Sequence, residues 1–352
     1  MIQTENQKNK NDPREVLEKR NRGRKLFALV PVLLVLGIMY VIFWDSREEL
    51  VSQLKETDNK YFILMVALGI LYVVIDSIPY KMLVHRLQPS YTLWDSVQIT
   101  YLGIFLNVTT LGAGIKPGQT YMLSRKGVEP GKAMAILTVP YIYHKAAIVL
   151  YATIALVFSH DFIKSEFSDS YHYIYSAYGL SALIIGGIIL ACVCKPAHRL
   201  LFAPFDKWIK NKDGKAYHIK EILKSQLSYL QQESAGILGS VKNTVVIMIV
   251  YLIKMTCWYV MPYIALKAVH ADISVSFMNV IVTSAFMLMI VGVIPVVGGI
   301  GPSEFVYILL FSVLYGKVYA GSTMILYRMA NYYIPFLIGT VISIYSFKKS
   351  EE

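Results

Sequence analysis

Five ionisable side chains fall within stretches of sequence that are otherwise apolar enough to cross a membrane. They are Asp76, Lys145, Lys254, Glu304 and Arg328. A charge in the middle of a bilayer costs at least about 2.5–3.5 kcal/mol on insertion scales, so such residues rarely face lipid. We expect them to face one another or a polar cavity, and three cations against two acids make that cavity net positive and suited to an anionic head group. The alternative is that Asp76, Lys254 and Arg328 only pair as structural contacts between helices.

The second chemical signal is a glycine-rich interruption at residues 298–304, with the sequence Gly-Gly-Ile-Gly-Pro-Ser-Glu. Backbone that leaves the helix at membrane depth is tolerated only where protein or a water-filled cavity satisfies its amides and carbonyls. Gly298, Gly299 and Gly301 are therefore candidates for close backbone contact with a ligand, and Glu304 is a candidate binding residue. The alternative for Glu304 is a capping role, because the dipole favours a carboxylate in the first turn of a helix.

A similar interruption lies earlier in the chain, at residues 112–119, with the sequence Gly-Ala-Gly-Ile-Lys-Pro-Gly-Gln. Proline is favoured in the first turn of a helix, and a helix N-terminus presents free amides and a partial positive charge. Lys116 beside such amides, with Gly118 and Gln119, predicts an anion-binding site. The alternative is an ordinary turn into a helix with an interfacial lysine.

The hydropathy of the chain predicts the helices on which these residues lie. Of 352 residues, 55% are hydrophobic, and the mean hydropathy is +0.49, which excludes a soluble domain of this length. Stretches of at least about 20 apolar residues can cross the hydrocarbon core as helices, and they occur at 26–44, 61–80, 133–158, 173–194, 241–269 and 322–347. The apolar stretches 93–111 and 277–295 instead run into the two interruptions. The sequence therefore predicts an all-α polytopic membrane protein with about six full transmembrane helices and two broken or re-entrant helical hairpins.

Lysine and arginine counts predict the topology, because short cytoplasmic loops hold the excess of both residues. The arm at 1–25 and the loop at 195–240 are basic and are predicted to be cytoplasmic, whereas the acidic connections 45–60 and 159–172 are predicted to be external. The membrane domain is then 26–347, and the tail 348–352 is cytoplasmic. Loop 195–240 also has the pattern of an amphipathic helix on an anionic lipid surface.

Hairpins that enter from opposite faces are the arrangement with which inverted-repeat transporters build a site near the bilayer midplane. No internal repeat is apparent at the level of residues, so the predicted pseudo-symmetry depends on hydropathy. Cys192, Cys194 and Cys257 lie in apolar runs, and no metal or nucleotide motif is found, so no cofactor is expected.

Residues 298–304 resemble the G-G-x-G-x-x-E signature of the lysylphosphatidylglycerol synthase transmembrane-region family, a flippase-like membrane domain. Residues 114–119, followed by Leu123, Arg125 and Gly127, are similar to that family's upstream pattern of a basic residue, a glycine-acid pair and L-x-R-x-G. The resemblance covers 26–347. It departs at Gln119, where the family pattern has an acid, and at Met122, where an arginine is expected; these departures concern the substrate more than the fold.

The resemblance implies that an anionic or aminoacylated phospholipid such as lysylphosphatidylglycerol, or a related lipid carrier, moves between the leaflets of a bacterial cell membrane. The phosphate would be neutralised by cationic side chains, namely Lys116, Lys145, Lys254 and Arg328, and Glu304 and Asp76 would meet an amino group or a coupling proton. The alternatives are a membrane component of a phosphatidylglycerol lysyltransferase, acting with a separate aminoacyl-lipid synthase partner, and a structural membrane subunit without transport.

The synthase activity itself is not expected from this chain. Bifunctional members of the family carry a soluble aminoacyl-transferase domain after the membrane region, whereas this sequence ends at Glu352. An anionic membrane lipid is the expected partner, nucleic acid is not, and the oligomeric state is left open.

Overall fold

The computed structural model describes residues 47–168, 171–193, 217, 241–271, 273–292, 294 and 301–349. Several predictions therefore concern residues outside the described part: the basic arm 1–25, the first predicted span 26–44, Gly298 and Gly299, and loop 195–240 apart from Tyr217. All the regular secondary structure in the described ranges is helical, which confirms the all-α prediction.

The helices are named here in chain order. They are α1 (Arg47–Lys55), α2 (Asn59–Val84), α3 (Leu93–Thr109), α4 (Ile115–Arg125), α5 (Pro130–Phe158), α6 (His160–Glu166), α7 (Tyr171–Val193), α8 (Val241–Ala268), α9 (Phe277–Val291), α10 (Pro302–Tyr315), α11 (Lys317–Arg328) and α12 (Ile334–Lys349), and a π-helical turn (Met329–Tyr333) joins the last two.

Four helical stretches within the described part of the chain are long and apolar enough to cross a membrane. They are α2, α5, α8 and the continuous stretch Lys317–Ser346, which contains α11, the π turn and most of α12. These stretches correspond to the predicted spans 61–80, 133–158, 241–269 and 322–347. The predicted span 173–194 corresponds to α7, whose apolar part is Ile174–Gly187. The chain therefore has the fold of a polytopic membrane protein.

The two predicted interruptions are present as breaks between short helices. The first hairpin consists of α3 and α4, and the chain turns between them through Leu111 and Gly112, at φ 53° and 87°. The second hairpin consists of α9 and α10, and α10 follows Gly301 at φ 102°. Helices α3, α4, α9 and α10 have 17, 11, 15 and 14 residues, fewer than the roughly 20 needed for a full crossing.

Polar contacts at the open end of the first hairpin hold its two helices together. The Asp95 amide donates to Thr92 Oγ1 at 3.2 Å, and the Thr92 amide donates to Asp95 Oδ2 at 2.8 Å, which forms a capping box at the start of α3. The other Asp95 oxygen lies 2.8 Å from the Lys126 ammonium, directly after α4. One carboxylate thus caps the first helix and pairs with the end of the second.

Helix packing is reciprocal between the two halves of the molecule. Helices α2 and α8 form the most extensive pair; α3 packs on α12, as α9 packs on α5. Within the halves, α2 packs on α3 and α4 on α5, as α8 packs on α9 and α10 on α11. In this comparison α2, α3 and α4 correspond to α8, α9 and α10, and α5 corresponds to the continuous stretch of α11 and α12. Exchanging the corresponding helices leaves these pairings unchanged, which is the packing expected of an internal structural repeat.

This packing also reveals a short sequence repeat at the two hairpin tips. Residues 114–119 read Gly-Ile-Lys-Pro-Gly-Gln, and residues 299–304 read Gly-Ile-Gly-Pro-Ser-Glu. Both have glycine, isoleucine and proline at the same spacing, followed by a small residue and a glutamine or glutamate. This repeat was not apparent from the sequence alone, and it gives Gln119 and Glu304 equivalent positions.

The π turn lies where the long C-terminal helix meets α2. Pro335 has no amide to donate to the carbonyl four residues earlier, and π turns of this kind recur at functional sites in helices. A Cβ on Gly69 of α2 would overlap the carbonyl oxygen of Ala330 in this turn. The glycine therefore lets α2 approach the turn at backbone distance.

Candidate functional site

A cavity of about 480 Å³ lies between the first hairpin, the central helices α2 and α8, α5 and the π turn. Each helix contributes residues at helical spacing, so that one face of each helix lines the cavity. The lining residues are Tyr72, Val73, Asp76 and Tyr80 from α2; Thr100, Gly103, Ile104 and Asn107 from α3; Gly112, Ile115, Lys116 and Gln119 from the hairpin tip and α4; Pro140, Tyr141, His144 and Lys145 from α5; Tyr251, Lys254 and Trp258 from α8; and Asn331 and Tyr332 from the π turn.

An ion pair joins the two central helices at the cavity wall. Lys254 Nζ lies 2.6 Å from Asp76 Oδ1, and the Lys254 side chain is only 4% exposed. The same ammonium lies 3.4 Å from His144 Nδ1 and 4.5 and 5.1 Å from the ring centroids of Tyr72 and Tyr251. Because a carboxylate, an imidazole and two aromatic faces surround it, the charge of Lys254 is compensated within the protein.

Two further lysines of the cavity donate to backbone carbonyls and have no carboxylate within 4 Å among the described residues. Lys116 Nζ donates to the Leu137 carbonyl oxygen at 2.6 Å, and Lys145 Nζ donates to the Gly292 carbonyl oxygen at 3.4 Å. Lys145 Nζ also lies 5.5 Å from the ring centroid of Tyr141. Neither a carbonyl nor an aromatic ring carries a net charge, so both ammonium groups are left without a counter-ion among the described residues. Lys116 and Lys145 are therefore the cations of this cavity that are best placed to bind an anion.

Gln119 presents an unused acceptor at the same cavity. The residue is 4% exposed, and its Nε2 donates to the Ile99 carbonyl oxygen at 3.1 Å. Its Oε1 has no hydrogen-bond partner among the described residues. A buried acceptor without a donor is costly, so a ligand hydroxyl or amide that reached it would bind favourably.

Gly118 has a steric role between the two helices of the first hairpin. A Cβ at this position would overlap Cδ1 of Leu106 in α3. Gly118 is not among the described residues that line the cavity. The position therefore lets α4 pack closely on α3 and so sets where Lys116 and Gln119 lie.

Glu304 and Arg328 form a second buried ion pair, between α10 and α11. Arg328 Nε lies 2.6 Å from Glu304 Oε1, and the two side chains are 6% and 5% exposed. The other oxygen, Glu304 Oε2, accepts from the Gly301 amide at 2.7 Å and from Ser303 Oγ at 3.1 Å. Glu304 therefore caps α10 and pairs with Arg328 at the same time, and neither residue is among the described lining of the cavity.

Aromatic contacts connect the buried pair to the cavity wall. The Arg328 guanidinium lies 4.3 Å from the ring centroid of Tyr332, which lines the cavity. Trp258, another lining residue, donates from Nε1 to the hydroxyl of Tyr327, and the Tyr327 ring packs on Tyr307 of α10 at 5.1 Å. A rearrangement at the second hairpin would therefore change the contacts of Tyr332 and Trp258 in the cavity wall.

The residues singled out from the sequence thus fall into separate groups. Asp76, Lys116, Gln119, Lys145 and Lys254 come together in one cavity, while Glu304, Arg328 and Gly301 lie together at the second hairpin. With three lysines and one carboxylate, the cavity has a formal excess of two positive charges when all four are ionised. The sequence predicted that all five membrane charges share one cavity, and three cations with two acids would give a smaller positive excess.

Sequence reasoning missed the aromatic and amide part of the cavity wall. The missed residues are Tyr72, Tyr80, Tyr141, Tyr251, Trp258, Tyr332, Asn107 and Asn331. A signal was available, because 72, 76 and 80 share one face of α2 and 251, 254 and 258 share one face of α8. A search of the helical face around Asp76 and Lys254 would have found the aromatic residues of these two helices.

A family model described as "Lysylphosphatidylglycerol synthase TM region" matches residues 28–339, which include both hairpins and both copies of the tip sequence. The chain belongs to this family. No curated protein matches the chain. As a member of the lysylphosphatidylglycerol synthase transmembrane-region family, it is a multi-pass membrane protein linked to lysylphosphatidylglycerol metabolism or to lipid translocation. The resemblance noted at residues 298–304 and 114–119 is thereby confirmed.

Proposed function

We propose that this protein moves an anionic or aminoacylated phospholipid between the two leaflets of the cell membrane, with the phosphate bound in the cavity of the first hairpin. The observation that carries the proposal is the pair Lys116 and Lys145. Both line one cavity among membrane-crossing helices, and neither has a carboxylate partner among the described residues. Uncompensated cations at such depth are costly unless a ligand or water compensates them.

The size and chemistry of the cavity support a phosphate-bearing head group. Its volume of about 480 Å³ falls within the roughly 300–1,000 Å³ range of small-molecule sites. Lys116 lies in the first turn of α4, where the helix N-terminus adds a partial positive charge. Tyrosine hydroxyls and the Gln119 amide supply neutral polar partners. A lipid could place its head group here while its acyl chains stay in the membrane.

The reciprocal packing of the two halves supports a mechanism for the movement. In transporters with inverted repeats, exchange of the conformations of the two repeats opens the site to the opposite side of the membrane. Here the equivalent elements are the two hairpins, and the central helices α2 and α8 are joined by the Asp76–Lys254 pair. The sequence predicts that the basic arm 1–25 and the basic loop 195–240 are both cytoplasmic. In that topology the two hairpins would enter from opposite faces of the cell membrane.

The proposal is tested by reconstitution into liposomes that contain phosphatidylglycerol with a fluorophore on one acyl chain, which leaves the head group unaltered. A membrane-impermeant reductant bleaches the outer leaflet, and later bleaching reports lipid that moves outward. The wild-type protein is expected to move lipid faster than protein-free vesicles, and Lys145→Met is expected to slow it about tenfold, the effect of losing about 1.4 kcal/mol of head-group binding.

The matched control is Lys132→Met, which removes a lysine from the first turn of the same helix. Lys132 is 47% exposed and lies 3.2 Å from Glu129, away from the cavity. This control is expected to transport like the wild type. Wild-type rates no higher than those of empty vesicles would contradict the proposal.

A further inference from the structure

We infer that the cavity selects a phosphate head group that carries no amine, such as phosphatidylglycerol, over its lysylated derivative. This inference rests on the proposed function and names the substrate class of the same site. Phosphatidylglycerol carries one negative charge at neutral pH. Its lysyl ester adds two ammonium groups and so carries one net positive charge. The two lipids therefore differ most in what they require from the charges around the head group.

The cavity supplies cations and has no uncommitted carboxylate among the described residues. Among the described residues, the ammonium groups of Lys116 and Lys145 donate to carbonyl oxygens, and Lys145 also lies over the Tyr141 ring. Asp76, the carboxylate of the lining, lies 2.6 Å from Lys254. A lysyl head group would bring two further ammonium groups to a space that already has a positive excess. Its phosphate would be attracted and its amines repelled.

The hairpin tips, which have equivalent sequences, agree with this conclusion. The last position of the repeated tip sequence is Gln119 at the first tip. Its amide is neutral, and its Oε1 has no hydrogen-bond partner among the described residues. At the second tip the position holds Glu304, whose charge is matched by Arg328 and whose second oxygen accepts from the Gly301 amide and Ser303. Neither tip offers a carboxylate to a ligand ammonium.

Gln119 instead fits the hydroxyls of a glycerol head group. Lys116 and Gln119 are three residues apart on α4, so their side chains share one face of the helix, and both line the cavity. The lysine can bind a phosphate oxygen while the free Oε1 accepts a hydrogen bond from a neighbouring hydroxyl. An uncharged acceptor binds a hydroxyl without the desolvation cost that a carboxylate would carry.

The test compares initial transport rates of phosphatidylglycerol and lysylphosphatidylglycerol with the same labelled acyl chain in otherwise identical proteoliposomes. Wild-type protein is expected to move phosphatidylglycerol at least about tenfold faster, which corresponds to about 1.4 kcal/mol of discrimination. Lys145→Glu, which replaces a cation of the cavity with an anion, is expected to shift the ratio of the two rates towards the lysylated lipid by about tenfold or more.

Lys132→Glu makes the same charge change in the first turn of the same helix but away from the cavity, and its ratio is expected to equal that of the wild type. If Lys145→Glu does not purify as a folded protein, Lys145→Gln is measured, and a smaller shift in the same direction is expected.

The possible outcomes separate the claim of selectivity from the claim of lipid translocation. A wild-type protein that moves the lysylated lipid as fast as phosphatidylglycerol overturns the selectivity and leaves the translocase proposal standing. An unchanged ratio in the folded Lys145 variant also overturns the selectivity. If neither lipid moves faster than in empty vesicles, the proposed function itself fails.

Discussion

The tips of the two hairpins share glycine, isoleucine and proline at the same spacing, yet the structure uses them differently. At the first tip Gln119 faces a cavity with an unused acceptor, and Lys116 beside it has no carboxylate partner among the described residues. At the second tip one carboxylate oxygen of Glu304 pairs with Arg328, and the other accepts a hydrogen bond from the Gly301 amide. Equivalent sequence positions thus hold a neutral amide beside the cavity in one half and a buried ion pair in the other.

Halves that pack equivalently therefore need not carry equivalent charges. A buried carboxylate requires a cation and hydrogen bonds at once, and Glu304 has both. An amide has no such requirement, so the lysines near Gln119 stay available to a ligand. Substitutions in one hairpin or the other separate these roles, and they are ordered here by decreasing expected effect.

Breaking the buried pair is expected to have the largest effect. Arg328→Met leaves the Glu304 carboxylate buried without its cation, and loss of one partner of a buried pair costs about 3–5 kcal/mol. The measurement is the free energy of unfolding in mixed detergent micelles. The double variant Glu304→Gln, Arg328→Met removes both charges and should recover part of the loss. A single variant as stable as the wild type would show that the pair is not buried.

The second prediction compares the glycines of the two tips. Gly301→Ala places a side chain at φ 102°, a conformation that costs non-glycine residues about 1–3 kcal/mol. Gly118→Ala instead meets only the end of the Leu106 side chain, which can rotate. The alanine at 301 should therefore lower the midpoint of thermal unfolding more than the alanine at 118. The reverse order would contradict the assigned roles.

The third prediction makes the first tip resemble the second. Gln119→Glu introduces a carboxylate one turn from Lys116, where it can pair with that lysine and neutralise it. Transport of phosphatidylglycerol should fall about tenfold, an effect of about 1.4 kcal/mol. Combined with Lys116→Met, the change should slow transport little more than either substitution alone. Strictly multiplicative effects would mean that the two side chains do not act on the same head group.

The smallest effect is expected at the open end of the first hairpin. Lys126 is 47% exposed in its pair with Asp95, and exposed pairs contribute only about 0.2–1 kcal/mol. Lys126→Ala should therefore shift the unfolding free energy by no more than this amount and should leave transport unchanged. A loss comparable to that of Arg328→Met would remove the distinction between surface and buried pairs.

Hydropathy and glycine–proline patterns are sufficient to predict the membrane class, the spans α2, α5, α8 and α11–α12, and the breaks in both hairpins. These properties depend on local composition, which a sequence shows directly. The choice of ion-pair partners is different. Asp76 and Lys254 are 178 residues apart, and only the packing of α2 on α8 decides that they meet each other and that Glu304 meets Arg328.

The roles of individual tip residues also required the fold. Gly118 reads as a ligand-contact candidate in the sequence, because nothing local shows that Leu106 lies against it. The repeat between residues 114–119 and 299–304 is visible in the sequence but is too short to stand out. It becomes convincing when the packing shows that both segments begin equivalent helices.

Binding of a lipid head group in the cavity at the first hairpin can be measured directly by cysteine accessibility. In a variant with Cys192, Cys194 and Cys257 replaced by serine, Asn107→Cys places a thiol in the cavity lining, and Thr109→Cys places one at an exposed position two residues away. The rate of modification by an uncharged maleimide is measured in nanodiscs of phosphatidylglycerol and of phosphatidylcholine. Bound phosphatidylglycerol should slow modification at position 107 several-fold and leave position 109 unchanged, whereas equal ratios at the two positions would contradict binding in this cavity.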